Sequence, residues 1–248
     1  MPHYSVIIPA YNEATWLPKS LSALKVAMAA IEHTGEVIVA DNNSSDDTSQ
    51  VAKAHGAKVV FEAKNQISRA RNAGARAATG KYLIFLDADC LISPQLLKTA
   101  LACLETGTCC GGGTLIRFDR ETGLFSRLIL HFWIGVSKRF KLAAGSFIYC
   151  LREAFEEIGG FSTNLYAGEE IRFSQDLKRW GKRKKMRFLI IADQAITTSA
   201  RKLDHPLRVA WTTALCLLFP FAIFFRSLCG YWYKRPEEKP PNKEEQTQ

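Results

Sequence analysis

From residue 4 to about residue 90, short apolar runs alternate with stretches whose apolar positions recur every three or four residues. "YSVIIPA" (4–10), "EVIVAD" (36–41), "AKVVFEA" (57–63) and "KYLIFLDA" (81–88) are rich in β-branched and aromatic residues and read as strands. After the first of them Leu17, Leu21, Leu24, Met28 and Ile31 line one face of a helix. "DDTSQVAKAH" (46–55) and "ISRARNAGARAAT" (67–79) predict two more helices. In "SPQLLKTALACLE" (93–105) Ser93 is placed as N-cap and Pro94 at the first helical position. Strands that are apolar on both faces and alternate with helices predict an α/β fold, a parallel sheet covered on both sides.

Beyond residue 108 the alternation fades. "CCGGGTLIRF", "GSFIYCL" and "RFLIIADQ" (187–194) read as strands, and residues 151–181 as helix with a Gly159-Gly160 break. "LFSRLILHFWIGVSKRF" (124–140) is bulky and apolar almost all round, which suits either a buried helix or a surface that meets lipid. Residues 209–225 carry no charge, and Pro220 would kink a helix there. That stretch lies at the lower length limit for crossing a bilayer, so the expectation is a membrane-associated hydrophobic helix, spanning or lying in plane. The polar tail from 231 has no periodicity and predicts disorder.

Chemistry concentrates at the strand ends. In "YLIFLDADCL" a buried run closes on Asp87 and Asp89, two carboxylates at i and i+2 that can share a hard divalent cation. "ADNNSSDDTSQ" places Asp41 and Asn42 at the end of the second strand, where they can bond a nucleobase edge or a ribose hydroxyl. A polar turn with Ser45 or Asp46 capping the next helix also accounts for that run. "PAYNE" adds Tyr11, Asn12 and Glu13 at the end of the first strand. Open parallel sheets bind ligands at the carboxyl ends of their strands, and three such ends converge here on one polar crevice.

"SVIIPAYNE", "VIVADNNSSDDT", "ISRARNAGARAATGKYLIFLDAD" and "GSFIYCLREAFEEIGGFSTNLYAGEEIRFSQDLKRWG" follow one another in an order that resembles the family-2 glycosyltransferases of the GT-A fold. The resemblance implies a GT-A-like, Rossmann-type, mainly parallel sheet flanked by helices. It also implies a catalytic domain over 1–200, divided into a nucleotide-binding half (1–107) and an acceptor half (108–200). In the family the first block and the Asp-rich turn hold the donor's base and ribose, which implies Ala10, Tyr11, Glu13, Asp41 and Asn42. The Asp-x-Asp implies Asp89 as ligand of Mn²⁺ or Mg²⁺, with Asp87 and Ala88 beside it at the metal or ribose. Arg69 and Arg71 on the preceding helix are candidates to clamp base or phosphate, and Arg201 to reach the diphosphate. "YAGEEIRFS" matches a block that supplies the general base, which implies Glu170, with Glu169 in reserve. Acids at a helix start also serve as dipole partners.

The net charge of +9 points to a polyanionic partner. Seven positive charges fall within 178–187, "KRWGKRKKMR", suited to anionic head groups or a lipid phosphate. No nucleic-acid module is recognisable. "PAYNEATWLP" lacks the Gly-rich basic loop a nucleotidyltransferase needs. The seven cysteines show no CxxC spacing and read as reduced thiols, and the start of the chain does not read as a secretory signal. The spacing in "QDLKRWG" departs from the Gln-x-x-Arg-Trp of processive synthases, which argues for one transfer per acceptor. The function expected is metal-assisted, inverting transfer of one sugar from a nucleotide-sugar donor to a lipid-linked or envelope-glycan acceptor at the cytoplasmic membrane face. A nucleotide-binding scaffold without turnover, or a nucleotidyltransferase, is the alternative.

Overall fold

In the computed structural model the described residues are 1–121, 123, 135, 139, 140, 142, 143, 145–201 and 224. But for the isolated positions, the 124–140 run, the 209–225 stretch and the tail lie outside them. Among the described residues no helix is long and apolar enough to cross a membrane.

Successive side chains of a strand point to opposite faces, and this alternation sorts the core into two layers. Val6 and Ile8 of β1 (Tyr4–Ala10) and Ile84 and Leu86 of β4 (Tyr82–Leu86) pack with α1 (Leu17–Ala29) and α4 (Pro94–Glu105). Ile7, Leu83 and Phe85 face the other way, against α3 (Ile67–Ala77), α5 (Arg152–Ile158) and α6 (Glu169–Arg183). There the rings of Phe85, Phe155, Phe161 and Phe173 touch, with Phe161 and Phe173 stacked at 4.1 Å. This cluster locks α5, α6 and the loop between them to the middle of the sheet.

Among the described residues the sheet has the order β3-β2-β1-β4-β7-β6-β8-β5. β2 (Gly35–Asp41), β3 (Lys58–Phe61), β1 and β4 are parallel, as the βα alternation predicts. The second half is mixed. β7 (Phe147–Leu151) runs antiparallel to both β4 and β6 (Cys109–Phe118). β8 (Arg187–Thr198) is parallel to β6, and the short β5 (Cys90–Leu91) is antiparallel to β8. The helical stretch expected over 151–181 breaks at Gly159 as expected, and the break is a ten-residue loop from Gly159, at φ +79°, to Gly168, at φ +72°. Ser93 caps α4 as expected, its hydroxyl accepting from Leu96 N at 3.2 Å. α2 (Thr48–Ala54) is shorter than its sequence pattern, because Asp46 uses its carboxylate on Thr48 N and Ala14 N.

Register brings the strand ends together. Ala10 lies opposite Asp41, so β1 and β2 finish level. β4 finishes beside them at Leu86, and the next residue, Asp87, donates its N–H to Ser146 O at 3.2 Å.

β6 fits between β7 and β8 because glycines 111–113 follow its first two residues. A Cβ on Gly112 would stand 1.7 Å from Leu189 O, and one on Gly113 would stand 2.5 Å from Ala143 Cβ. Gly112→Ala is expected to lower the unfolding free energy by about 3 kcal/mol in a urea melt, the upper part of the usual overpacking cost. Gly123→Ala, where a Cβ meets nothing within 4 Å, should stay within about 0.5 kcal/mol of the parent.

Candidate active site

The loops that follow β1 and β2 are bonded to each other. Asn12, at φ +52°, accepts Ser45 N on its Oδ1 at 2.8 Å and donates its own N–H to Ser44 Oγ at 3.0 Å. Glu13 N donates to Thr48 Oγ1 at 2.8 Å. These bonds hold Tyr11 half-buried at the rim. Asp41 is buried, accepting Ser44 N at 3.0 Å on one oxygen and Ser49 Oγ on the other. Asn42 is buried as well, and its amide is engaged at both ends. Its Nδ2 donates to Glu62 O and Lys64 O, while its Oδ1 accepts Gln66 N at 2.8 Å. It therefore ties the loop before α3 to the end of β2.

Arg71 is the centre of the site. Its guanidinium is 3% exposed; Nη2 donates to Asp87 Oδ1 and to Gly145 O, and Nη1 to Glu169 Oε1, each at 3.0 Å. The guanidinium also lies over the Phe161 ring at 5.1 Å. Arg71 thus points into the protein and joins the end of β4 to the start of α6. Arg69, the other expected clamp, bonds Gln66 Oε1 at 3.1 Å and is half-buried.

Burial by itself would lower the Arg71 pKa, and Asp87, Glu169 and Glu170 together more than offset it, so the group is held above its ordinary value. Glu169 is pushed up to about 8, first by burial, then by the neighbouring Glu170, with Arg71 opposing. One arginine neutralises one carboxylate, and Asp87 is already its partner. Glu170 is half-buried, and a Cβ on Gly145 would be 3.7 Å from its carboxyl carbon. Both acids at the start of α6 therefore lie at the crevice, only one of them bound to Arg71.

Asp89 is buried beside the buried Ala88, and its partner is Arg201, the last residue of the described stretch 145–201. Arg201 Nη2 lies 3.4 Å from Asp89 Oδ2 and 2.7 Å from Glu13 Oε1, and the guanidinium stands 5.6 Å from the centre of the Trp16 ring. Glu13, expected at the donor's base, is thereby linked to the Asp-x-Asp acid. Asp87 and Asp89 offer carboxylate oxygens alone, the donor set that hard divalent cations take. Among the described residues Asp87 also contacts Arg71, and Asp89 contacts Arg201, which is shared with Glu13. Those residues fit Mn²⁺ or Mg²⁺.

Two further residues bind the halves together. Gln66, fully buried, donates from Nε2 to Thr163 O at 2.8 Å and Leu165 O at 2.9 Å. Sequence reading passed over it; its one signal is a polar residue just ahead of a helix. Asn72 exchanges two bonds with the backbone of Phe161, at 2.8 and 2.9 Å.

With this geometry in hand, comparison with known proteins is specific. A family model described as "Glycosyl transferase family 2" matches residues 5–163. Glycosyltransferase AglE of Haloferax volcanii is 29% identical over 193 residues, 71% of this chain and 61% of that protein. The chain therefore spans less than two thirds of that relative's length. The mannosyltransferase PcManGT of Pyrobaculum calidifontis, solved with GDP-Man and Mn²⁺, superposes over 97% of this chain and 66% of its own, with TM-score 0.68 and 21% identity. Glucosyl-3-phosphoglycerate synthase of Mycobacterium tuberculosis, solved with Mn²⁺, UDP-Glc and phosphoglyceric acid, gives TM-score 0.62 at 21% identity, over 92% of this chain and 80% of its own. At those identities the two structures establish the shared fold.

A raised Glu169 pKa has a definite sign. Between the ordinary carboxylate value of 4.5 and about 8 the folded chain holds a proton that the unfolded chain has lost. The stabilisation is present at the acid end and is lost as pH rises through the folded value. Glu169→Gln, which has no such proton, is expected to gain melting temperature relative to the parent as pH goes from about 5 to about 8. A difference that stays constant over that range would mean that Glu169 is already ionised at the acid end.

Proposed function

The chain belongs to glycosyl transferase family 2, and on that premise we propose that it transfers one sugar from a nucleoside-diphosphate sugar to an acceptor hydroxyl, with inversion at the anomeric carbon. The observation that carries this reading is the Arg71 cluster. One buried guanidinium orients Asp87, at the strand end where a donor's diphosphate would sit, and Glu169, beside the residue that would take the acceptor's proton. AglE is named as a glycosyltransferase, and the two solved neighbours contain a sugar nucleotide with Mn²⁺, which supports the donor class and the metal.

Glu170 is the general base. Glu169 is buried and bound to Arg71, and burial raises its pKa, so it positions and does not accept. Glu170 is half-exposed and leads into the crevice. The acceptor oxygen gives its proton to Glu170 and attacks the anomeric carbon, and the bond from that carbon to the diphosphate oxygen breaks in line. Asp89 and Asp87 would hold the cation, which supplies Lewis-acid stabilisation of the charge on the departing diphosphate. Asp41, with one bond to each oxygen, keeps acceptor capacity for a ribose hydroxyl or a base N–H. Tyr11 offers a ring at the same rim.

The acceptor we propose is a lipid-linked or envelope glycan at the cytoplasmic membrane face. Support comes from the end of α6 and the turn after it, where Lys182, Arg183, Lys185 and Arg187 are exposed and have no acidic partner among the described residues. The rise of α6 from Glu170 to Arg183 puts that patch about 20 Å from Glu170. It would hold the surface while the crevice works at a distance.

Two variants separate donor from base. Asp89→Ala is expected to abolish the metal-dependent thermal stabilisation by UDP, GDP or dTDP and to cost at least about 10²-fold in transfer. Glu170→Gln should keep that nucleotide response and lose about 10²- to 10⁴-fold in transfer. Full transfer activity in either variant would overturn the assignment of that residue.

A further inference from the structure

We propose that His3, His33 and Glu105 form a second cation site, for a zinc-class transition ion, at the end of the sheet opposite the catalytic crevice. His3 precedes β1, His33 lies between α1 and β2, and Glu105 closes α4. Folding brings together groups as far as 102 positions apart in the chain. Both imidazole Nε2 atoms converge on the same carboxylate oxygen, His3 at 2.8 Å and His33 at 3.4 Å from Glu105 Oε1. All three ligand atoms lie within 4.8 Å of one another.

The spacing matches the chemistry. Metal–ligand bonds near 2.1 Å in a tetrahedron separate ligand atoms by about 3.4 Å. The His33–Glu105 distance equals that value, and the His3–Glu105 distance of 2.8 Å is shorter and would open as an ion entered. The rings are stacked, with centroids 4.1 Å apart and planes at 26°. Two imidazolium ions in that arrangement would repel, whereas two neutral rings sharing one cation would not. A single ion between the three atoms would face the Glu105 carboxylate with positive charge.

The scaffold is largely set. His3 N donates to Thr34 O at 2.7 Å, its carbonyl accepts Tyr82 N at 3.3 Å, and its ring stands edge-on to Tyr82 at 4.9 Å. These contacts hold the main chain of His3 and one side of its ring. The side chains of His3, Glu105 and His33 are 29%, 37% and 51% exposed, which leaves a fourth position open to water.

Ligand type separates this site from the catalytic one. Two imidazoles and a carboxylate suit Zn²⁺, Co²⁺ or Ni²⁺, whereas the all-carboxylate pair Asp87 and Asp89 suits Mg²⁺ or Mn²⁺. β1 alone separates them by about 23 Å, from seven residues at the rise of a parallel strand. An ion here would tie the start of β1, the connection into β2 and the end of α4 into one unit.

The test uses the full chain without an affinity tag, titrated with Zn²⁺ by calorimetry and followed by thermal melting. It is run in the parent, Asp89→Asn, His33→Ala and Glu105→Gln. The expected result is a Zn²⁺ site with a raised melting temperature in the parent and in Asp89→Asn. His33→Ala and Glu105→Gln should bind that ion at least about tenfold more weakly and lose the shift, because even supporting residues cost that much. Both altered side chains are exposed enough for folding to survive, and an unchanged Mn²⁺-dependent nucleotide response in His33→Ala checks that it has. Zn²⁺ binding that is unchanged in His33→Ala and Glu105→Gln, or absent from the parent, would overturn the proposal.

Discussion

A guanidinium taken out of water has to find its counter-charges inside the protein, and Arg71 imposes that condition on everything around it. An unpaired buried charge costs several kcal/mol, so Asp87, Glu169 and the Gly145 carbonyl are obliged to converge. They come from the end of β4, the start of α6 and the segment ahead of β7. One side chain thus specifies how the second half of the sheet sits on the first. Phe161 closes over its face, which shields the cluster from the water that would weaken it.

Amide side chains repeat the same logic without charge. Asn42 binds the 62–66 loop, Gln66 reaches across to Thr163 and Leu165, and Asn72 holds Phe161. Each satisfies buried backbone groups that no strand or helix could serve, and each lies on the path from β2 through α3 to the α5–α6 loop. The crevice is accordingly built on a braced frame. Its loops are short, cross-bonded and attached to strands that end level.

Electrostatics divides the crevice into two ends. At one, Arg201 lies between Glu13 and Asp89, a cation already close to where a divalent ion would be held. At the other, Arg71 pairs with both Asp87 and Glu169, and burial beside Glu170 raises the Glu169 pKa. The two adjacent acids of α6 therefore differ in setting: Glu169 is buried against Arg71, and Glu170 is half-buried near Gly145. Burial, and not residue type, separates them.

Much of this was legible in the chain. Continuous apolar runs and period-3.6 patterns located the four parallel strands and their helices, because apolar residues must face the layers that bury them. The polar residues that interrupt those patterns marked the strand ends, so Asp41, Asp87 and Asp89 stood out before any coordinate was known. Glu169 and Glu170 stood out through family resemblance alone. The antiparallel return of β7 was not legible, since a short apolar run carries no direction. Nor was the inward turn of Arg71, the locking of Asn42, the meeting of Glu13 with Arg201 or the gathering of His3, His33 and Glu105. Those are contacts between distant positions, and local sequence holds no record of distance. The chain by itself determined which segments become strands and helices and which ends are polar; tertiary structure decided which charges meet, because pairing depends on where the folded layers bring them.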